Sequence, residues 1–158
     1  MILTKPVKLL STLLFLFVIT GCSTSREVLN FDTSAELNLQ AASDVNLDAD
    51  GRPSPLVIRI FKLADARQFE REDFLTLYEQ PEDRLGKDLL GTVQLKELAP
   101  GETRLETFEL TPDIRYLGIL AEYSRYDETT TMLVLPVSAH YSNDFSLIAS
   151  EKGLSEQP

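Results

Sequence analysis

From Ser34 the chain alternates, with Ala35, Leu37, Leu39 and Ala41 on one side and Glu36, Asn38 and Gln40 on the other. That is the period of a strand with one face in a core and one in water. Leu56, Ile58 and Ile60 alternate likewise, but with Val57, Arg59 and Phe61 between them, which predicts a central strand covered on both faces. From Asp65 to Tyr78 the period changes. Ala66 and Phe69 are three apart, Phe74, Leu77 and Tyr78 stand at i, i+3 and i+4, and Asp65 is a candidate cap. Because Phe69 and Phe74 are five apart, the segment reads as two short helical pieces, ended by Pro81, with a further turn up to Asp88. Strand patterning returns at 92–98 and, past the turn Pro100-Gly101, at 103–110, where Leu105, Phe108 and Leu110 are apolar. Segments 116–123, 130–137 and 145–149 complete the set. Short strands separated by turn signals predict a mainly β chain: a β-sandwich over residues 34–150 with a small helical insertion at about 65–88, then a tail at 151–158.

The first 21 residues follow a different logic. Lys5 and Lys8 precede an apolar run from Leu9 to Ile19, and Thr20-Gly21 lead into Cys22, the order of a bacterial lipoprotein signal peptide spanning 1–21. The run is too short to span a bilayer, which takes roughly 20 apolar residues. Cys22 is the single cysteine, so no internal disulfide exists, and a thiol is the side chain nucleophilic enough to take a diacylglyceryl group near neutral pH. The expected covalent group is therefore an N-acyl (palmitate-type), S-diacylglycerol lipid on Cys22, with no other cofactor. In lipoproteins of double-membraned bacteria an aspartate after the cysteine commonly retains the protein at the inner membrane. Ser23 here points to the inner leaflet of the outer membrane, facing the periplasm. Residues 22–33, small and polar, read as a flexible tether.

Charge narrows the partners. The leader removes two of the 15 basic residues and none of the 25 acidic ones, leaving a net charge of −12. Nucleic acids and anionic membrane surfaces attract basic patches, so neither is an expected partner, whereas a basic protein surface is allowed. Catalytic signals are weak throughout. His140 is the single histidine, with no nucleophile pattern around it, and one histidine with one cysteine cannot build a metal site of the zinc type. Asn46-x-Asp48-x-Asp50-Gly51 imitates the start of a calcium loop, but its twelfth position is Val57, which supplies no carboxylate. The carboxylate pairs at 70–73, 82–83 and 127–128 read as a solvated face rather than a glycosidase cleft, and no phosphate-binding glycine loop occurs. The sequence gives no enzyme. The aromatics Phe61, Phe69, Phe74, Tyr78 and Phe108 are assigned to the core.

The run Ser43-Asp44-Val45-Asn46-Leu47-Asp48-Ala49-Asp50-Gly51-Arg52 is predicted as a long exposed loop on which Val45 and Leu47 ride unburied. Around it, Ala35-Glu36-Leu37-Asn38-Leu39, then Gly51-Arg52-Pro53-Ser54-Pro55-Leu56-Val57-Ile58-Arg59-Ile60-Phe61-Lys62-Leu63, carry a resemblance. So do Phe69, Asp73-Phe74, Leu77-Tyr78, Pro100-Gly101-Glu102 and Tyr116-Leu117-Gly118-Ile119-Leu120-Ala121. Together with the Cys22 signal they resemble the type VI secretion outer-membrane lipoprotein family, TssJ, as far as about Tyr123. Beyond that, family members often carry a tryptophan on the next strand, where this chain has Thr129 to Leu133 and no tryptophan.

The resemblance implies a transthyretin-like β-sandwich with an added helical element, standing in the periplasm on its lipid. It implies a partner, the periplasmic domain of the inner-membrane protein TssM, and a role in anchoring the envelope-spanning complex of a contractile secretion machine. In that family the loop between the first two strands makes the contact, here residues 43–52. Exposed apolar residues ringed by polar ones suit such a patch. The alternative from the residues alone is a ligand-binding or adhesive periplasmic lipoprotein, whose sign is a concave apolar pocket with convergent polar groups.

Overall fold

In the first strand the alternation is carried through: Ala35, Leu37, Leu39 and Ala41 are buried while Asn38 and Gln40 face solvent. A computed structural model describes residues 32–157, so the expected signal peptide, Cys22, Ser23 and most of the expected tether lie outside the described residues. The strands are β1 (Thr33–Ala41), β2 (Ile58–Leu63), β3 (Leu89–Gln94), β4 (Thr103–Leu110), β5 (Tyr116–Ala121), β6 (Met132–Pro136), β7 (Ser142–Ser150) and β8 (Gly153–Gln157). Two short helices, α1 (Phe74–Glu79) and α2 (Pro81–Leu85), lie between 3-10 turns at Phe69–Arg71 and Gly86–Asp88. The strands form two four-stranded sheets, ordered β4-β1-β7-β8 and β3-β2-β5-β6. Every pair is antiparallel except β1 with β7.

The two sheets close over one core that includes Leu37, Leu39, Ile58, Ile60, Ile119 and Leu147. The second sheet is apolar on its outer face too, as the mixed pattern of β2 requires. Phe61, Leu63 and Leu120 meet Phe69, Leu77 and Leu85 from the helical segment in a second cluster. Helices of five and six residues are far below the length that holds in water alone, about 12–15 residues. What holds them is burial, at about 1.5–3 kcal/mol for each large apolar side chain, an upper estimate. Gly118 on β5 makes the seating close, since a Cβ there would stand 2.8 Å from the Phe69 ring.

Four expectations are corrected. Asp73, not Asp65, caps α1, its carboxylate accepting from the Thr76 amide at 2.8 Å; Asp65 instead accepts from the Arg67 amide and closes a turn. Pro81 follows the Gln80 cap that ends α1 and opens the further helical turn, α2, at a position where a missing N–H costs nothing. The strand expected at 92–98 runs over 89–94, and beyond it Leu98 pairs only with Leu56. Leu105 faces solvent, 59% exposed, because it lies opposite Asn38 on the outer face; Phe108 and Leu110 have the other parity and turn inward. The expected tail forms β8 against β7; with Ser155, Glu156 and Gln157 exposed, an edge strand of this kind shows no alternation.

Candidate functional site

The segment joining β1 to β2 lies at the end of the sandwich where β1 finishes, about 26 Å from Thr33 at roughly 3.3 Å per residue. There it is tied to its surroundings: the Ala42 amide donates to the Ala149 carbonyl and the Gly101 amide to the Ala42 carbonyl. Val45 is fully buried, contrary to its expected exposure, and Leu47 is half-buried. Val45 keeps the odd-numbered inward parity of β1 and joins the main core, with its carbonyl accepting from the Ser54 amide. The docking patch expected from both residues therefore reduces to Leu47 and its polar neighbours.

Asn46 turns the chain with φ 50°, a left-handed conformation that asparagine tolerates. Its buried side chain donates to the Pro55 carbonyl at 2.8 Å and accepts from the Ser124 amide at 2.7 Å. Asp48 organises the tip. Its carboxylate accepts from the amides of Asp50 and Arg52 and from Arg52 Nε, each at 2.9 Å, while Arg52 also pairs with Asp50. Gly51, at φ 75°, permits the reversal. The three residues that imitate calcium ligands thus each bond within the loop or to its neighbours: Asn46 to Pro55 and Ser124, Asp48 to Asp50 and Arg52, and Asp50 through one oxygen to Arg52. Among the described residues no group of three or more His, Cys, Asp or Glu side chains is placed to hold a metal.

The Arg52 amide, chiefly, then with burial opposing, the Arg52 side chain and the Asp50 amide, hold the Asp48 carboxyl below its ordinary 3.8. A depressed carboxyl contributes order above its unfolded pKa and loses it as pH falls through the folded one. Amide-exchange protection of Asp50 and Arg52 is therefore expected to survive at pH 3.8 and to fail on further acidification. Asp48→Ala is expected to abolish it at neutral pH, measured by hydrogen exchange.

The β5–β6 connection (122–131) flanks this loop, a part of the site that sequence reasoning missed. Arg125 Nη2 donates to the Asp48 carbonyl at 3.0 Å, and Arg59 pairs with Glu122 at 2.7 Å. Strand parity carries the signal: β1 and β5 both finish at this end, so the turn-rich run after Tyr123 had to lie beside residues 43–52. Tyr123 is buried there, and desolvation pushes its phenol above the usual range. Beside it a hollow of about 100 Å³, lined by Asn46, Leu47, Arg125, Glu128, Thr129 and Glu151, is smaller than a ligand site of about 300 Å³ or more. A groove of about 370 Å³ beside β6 is apolar except for Glu70, and one of about 650 Å³ at the start of β1 is lined by residues that include Thr33, Ser34, Thr107, Glu109 and Leu110. His140 is half-buried in the turn before β7, its amide donating to Thr33 Oγ1.

The architecture is a two-sheet β-sandwich, helix-covered on one face and carrying a braced polar loop at one end. The chain belongs to the type VI secretion lipoprotein family described as "Type VI secretion lipoprotein, VasD, EvfM, TssJ, VC_A0113", which matches residues 33–152. It is similar to the type VI lipoprotein TssJ1 from Pseudomonas aeruginosa, at 29% identity over 80% of this chain and 98% of that one, with a TM-score of 0.73. It is also similar to Serratia marcescens Lip, a membrane-bound component of the type VI secretion system, at 27% identity over 80% and 97%, TM-score 0.74. A chain of a type VI membrane complex shares the fold at 22% identity over 80% and 98%, TM-score 0.70. A search of curated proteins finds no match.

Proposed function

We propose that this chain is a non-catalytic assembly lipoprotein, held in the inner leaflet of the outer membrane by lipid on Cys22. Ser23 permits that sorting, and residues 43–52 bind the periplasmic domain of TssM. The observation that carries the reading is the loop itself: hydrogen-bonded through Asp48, pinned through Asn46, and exposed at Ala49 to Pro53. A loop already ordered before contact loses less conformational entropy on binding, so a small patch suffices. Its position supports the reading, because it sits at the far end of β1 from the residue where the tether joins. Family membership supports a place in a secretion membrane complex.

The test is binding of residues 23–158 to the periplasmic domain of TssM from the same genome. Val45 is unsuitable for substitution because it is core. Leu47→Ser removes the half-buried apolar contact, and Ala49→Trp places bulk on the exposed tip. Each is expected to weaken binding about tenfold or more while the unfolding midpoint stays near wild type. Wild-type affinity in both variants, or no binding by the wild type, overturns the reading.

A further inference from the structure

Three consecutive residues of the β5–β6 connection join the loop to the helical cover. The Ser124 amide binds Asn46, Arg125 binds the Asp48 carbonyl, and the Tyr126 ring stacks on Phe74 of α1 at 4.8 Å. Phe74 in turn stacks on Tyr78 at 5.8 Å, and Arg59 lies 5.2 Å from the Tyr78 ring centre. The outer rim of this assembly is bare. Tyr78 is 45% exposed, against its expected place in the core, beside Leu75 at 44% and Tyr126 at 38%. It is also negative. Glu79, Asp127 and Glu128 are exposed and make no ion pair among the described residues; Arg59 is paired with Glu122, and Arg125, whose hydrogen bond goes to the Asp48 carbonyl and not to a carboxylate, offsets one of these three charges.

We propose that this aromatic, acidic ledge is a second contact surface continuous with residues 43–52, and that it takes a cationic, arginine-bearing face of the same partner. The proposal rests on the docking reading above and extends its footprint. Guanidinium groups lie favourably over aromatic faces, as Arg59 does over Tyr78, and pair with carboxylates, so Tyr126 beside the unpaired acids selects arginine over an apolar or anionic surface. The order of the site fits that use, since stacking on Phe74 holds Tyr126 in place before any partner arrives.

The experiment compares wild type, Leu47→Ser and the double variant Leu75→Ser/Asp127→Lys for binding to the TssM periplasmic domain at several salt concentrations. Leu75 and Asp127 are solvent-facing, so the double variant is expected to unfold at the wild-type midpoint. Its affinity is expected to fall about tenfold, mainly through slower association, with a flatter salt dependence. A loss under about threefold, with Leu47→Ser still defective, overturns the ledge and leaves the loop reading standing. Wild-type binding by all three removes both. A wild-type dimer that the double variant converts to monomer in sedimentation shows a second copy on the ledge and also overturns the proposal.

Discussion

Cys22→Ser is expected to move the whole protein from the membrane fraction to the soluble periplasm while leaving its fold unchanged. Serine lacks the thiolate that accepts the diacylglyceryl group, so no acyl chain is attached. Each buried methylene contributes about 0.8 kcal/mol, and one chain alone binds only marginally, with an association constant of about 10⁴ M⁻¹. With the two or three chains of the proposed lipid, release is negligible, so the variant is expected to replace near-permanent attachment with none. The fold is indifferent because β1 begins at Thr33. Cell fractionation with mass spectrometry of the mature N-terminus is the measurement, and Ser23→Asp in the same series is expected to relocate the protein to the inner membrane. Persistence of Cys22→Ser in outer-membrane pellets, or an unmodified sulfur on the wild type, would remove the anchor. In solution the variant is expected to bind its partner as tightly as wild type. What it loses is the confinement that raises effective concentration between two tethered partners.

The elements that were legible in the sequence are those whose faces differ most. β1 alternates cleanly because one face meets the core and the other meets water, and β2 is apolar on both faces because the helices cover its outer side. β4 was half legible: Leu105 competes with Phe108 and Leu110 for the inward parity, and the positions that share that parity hold Arg104 and Glu106, paired at 2.8 Å at an open sheet edge. β8 was not legible, since Leu154 is the only large apolar residue it buries. The parallel pairing of β1 with β7 joins residues such as Leu37 and Phe145, and no local pattern reports a partner that distant.

At the site, the position of the loop and its polar turn were legible, but its bracing was not. Asn46 reads as a turn residue, and its second role depends on Ser124, 78 positions away. Val45 looked exposed because its immediate neighbours are polar; its burial depends on where the loop folds back, fixed by the Asn46 and Ser54 hydrogen bonds. Tyr78 looked like core because it completes an i, i+3, i+4 stripe. On a six-residue helix, however, Leu77 faces the sheet and Tyr78 reaches the rim.

Gly153→Ala is expected to cost about 3–5 kcal/mol, a large share of the roughly 5–15 kcal/mol typical of a folded domain. Gly153 has φ 112°, where an L side chain adds about 1–3 kcal/mol of strain. A Cβ there would also stand 2.4 Å from both the amide nitrogen and the carbonyl oxygen of Thr130. These are backbone atoms, so no side-chain rotation relieves the contact. The turn before β8 must lift away, which strains the Thr130-to-Lys152 and Leu154-to-Thr130 hydrogen bonds, worth about 1 kcal/mol each. Gly101 isolates the first effect from the second: its φ is 78° but nothing lies within 4 Å of its added Cβ, so Gly101→Ala is expected to cost only about 1 kcal/mol. Gly118→Ala falls between, because the Phe69 ring that it meets can shift. In thermal melts Gly153→Ala is expected to lower the midpoint by about 10 °C or more. A shift no larger than that of Gly101→Ala would mean that β8 does not fix the end of the β5–β6 connection. If it does fix that end, the variant also weakens partner binding, because Thr130 closes the same connection that carries Ser124, Arg125 and Tyr126.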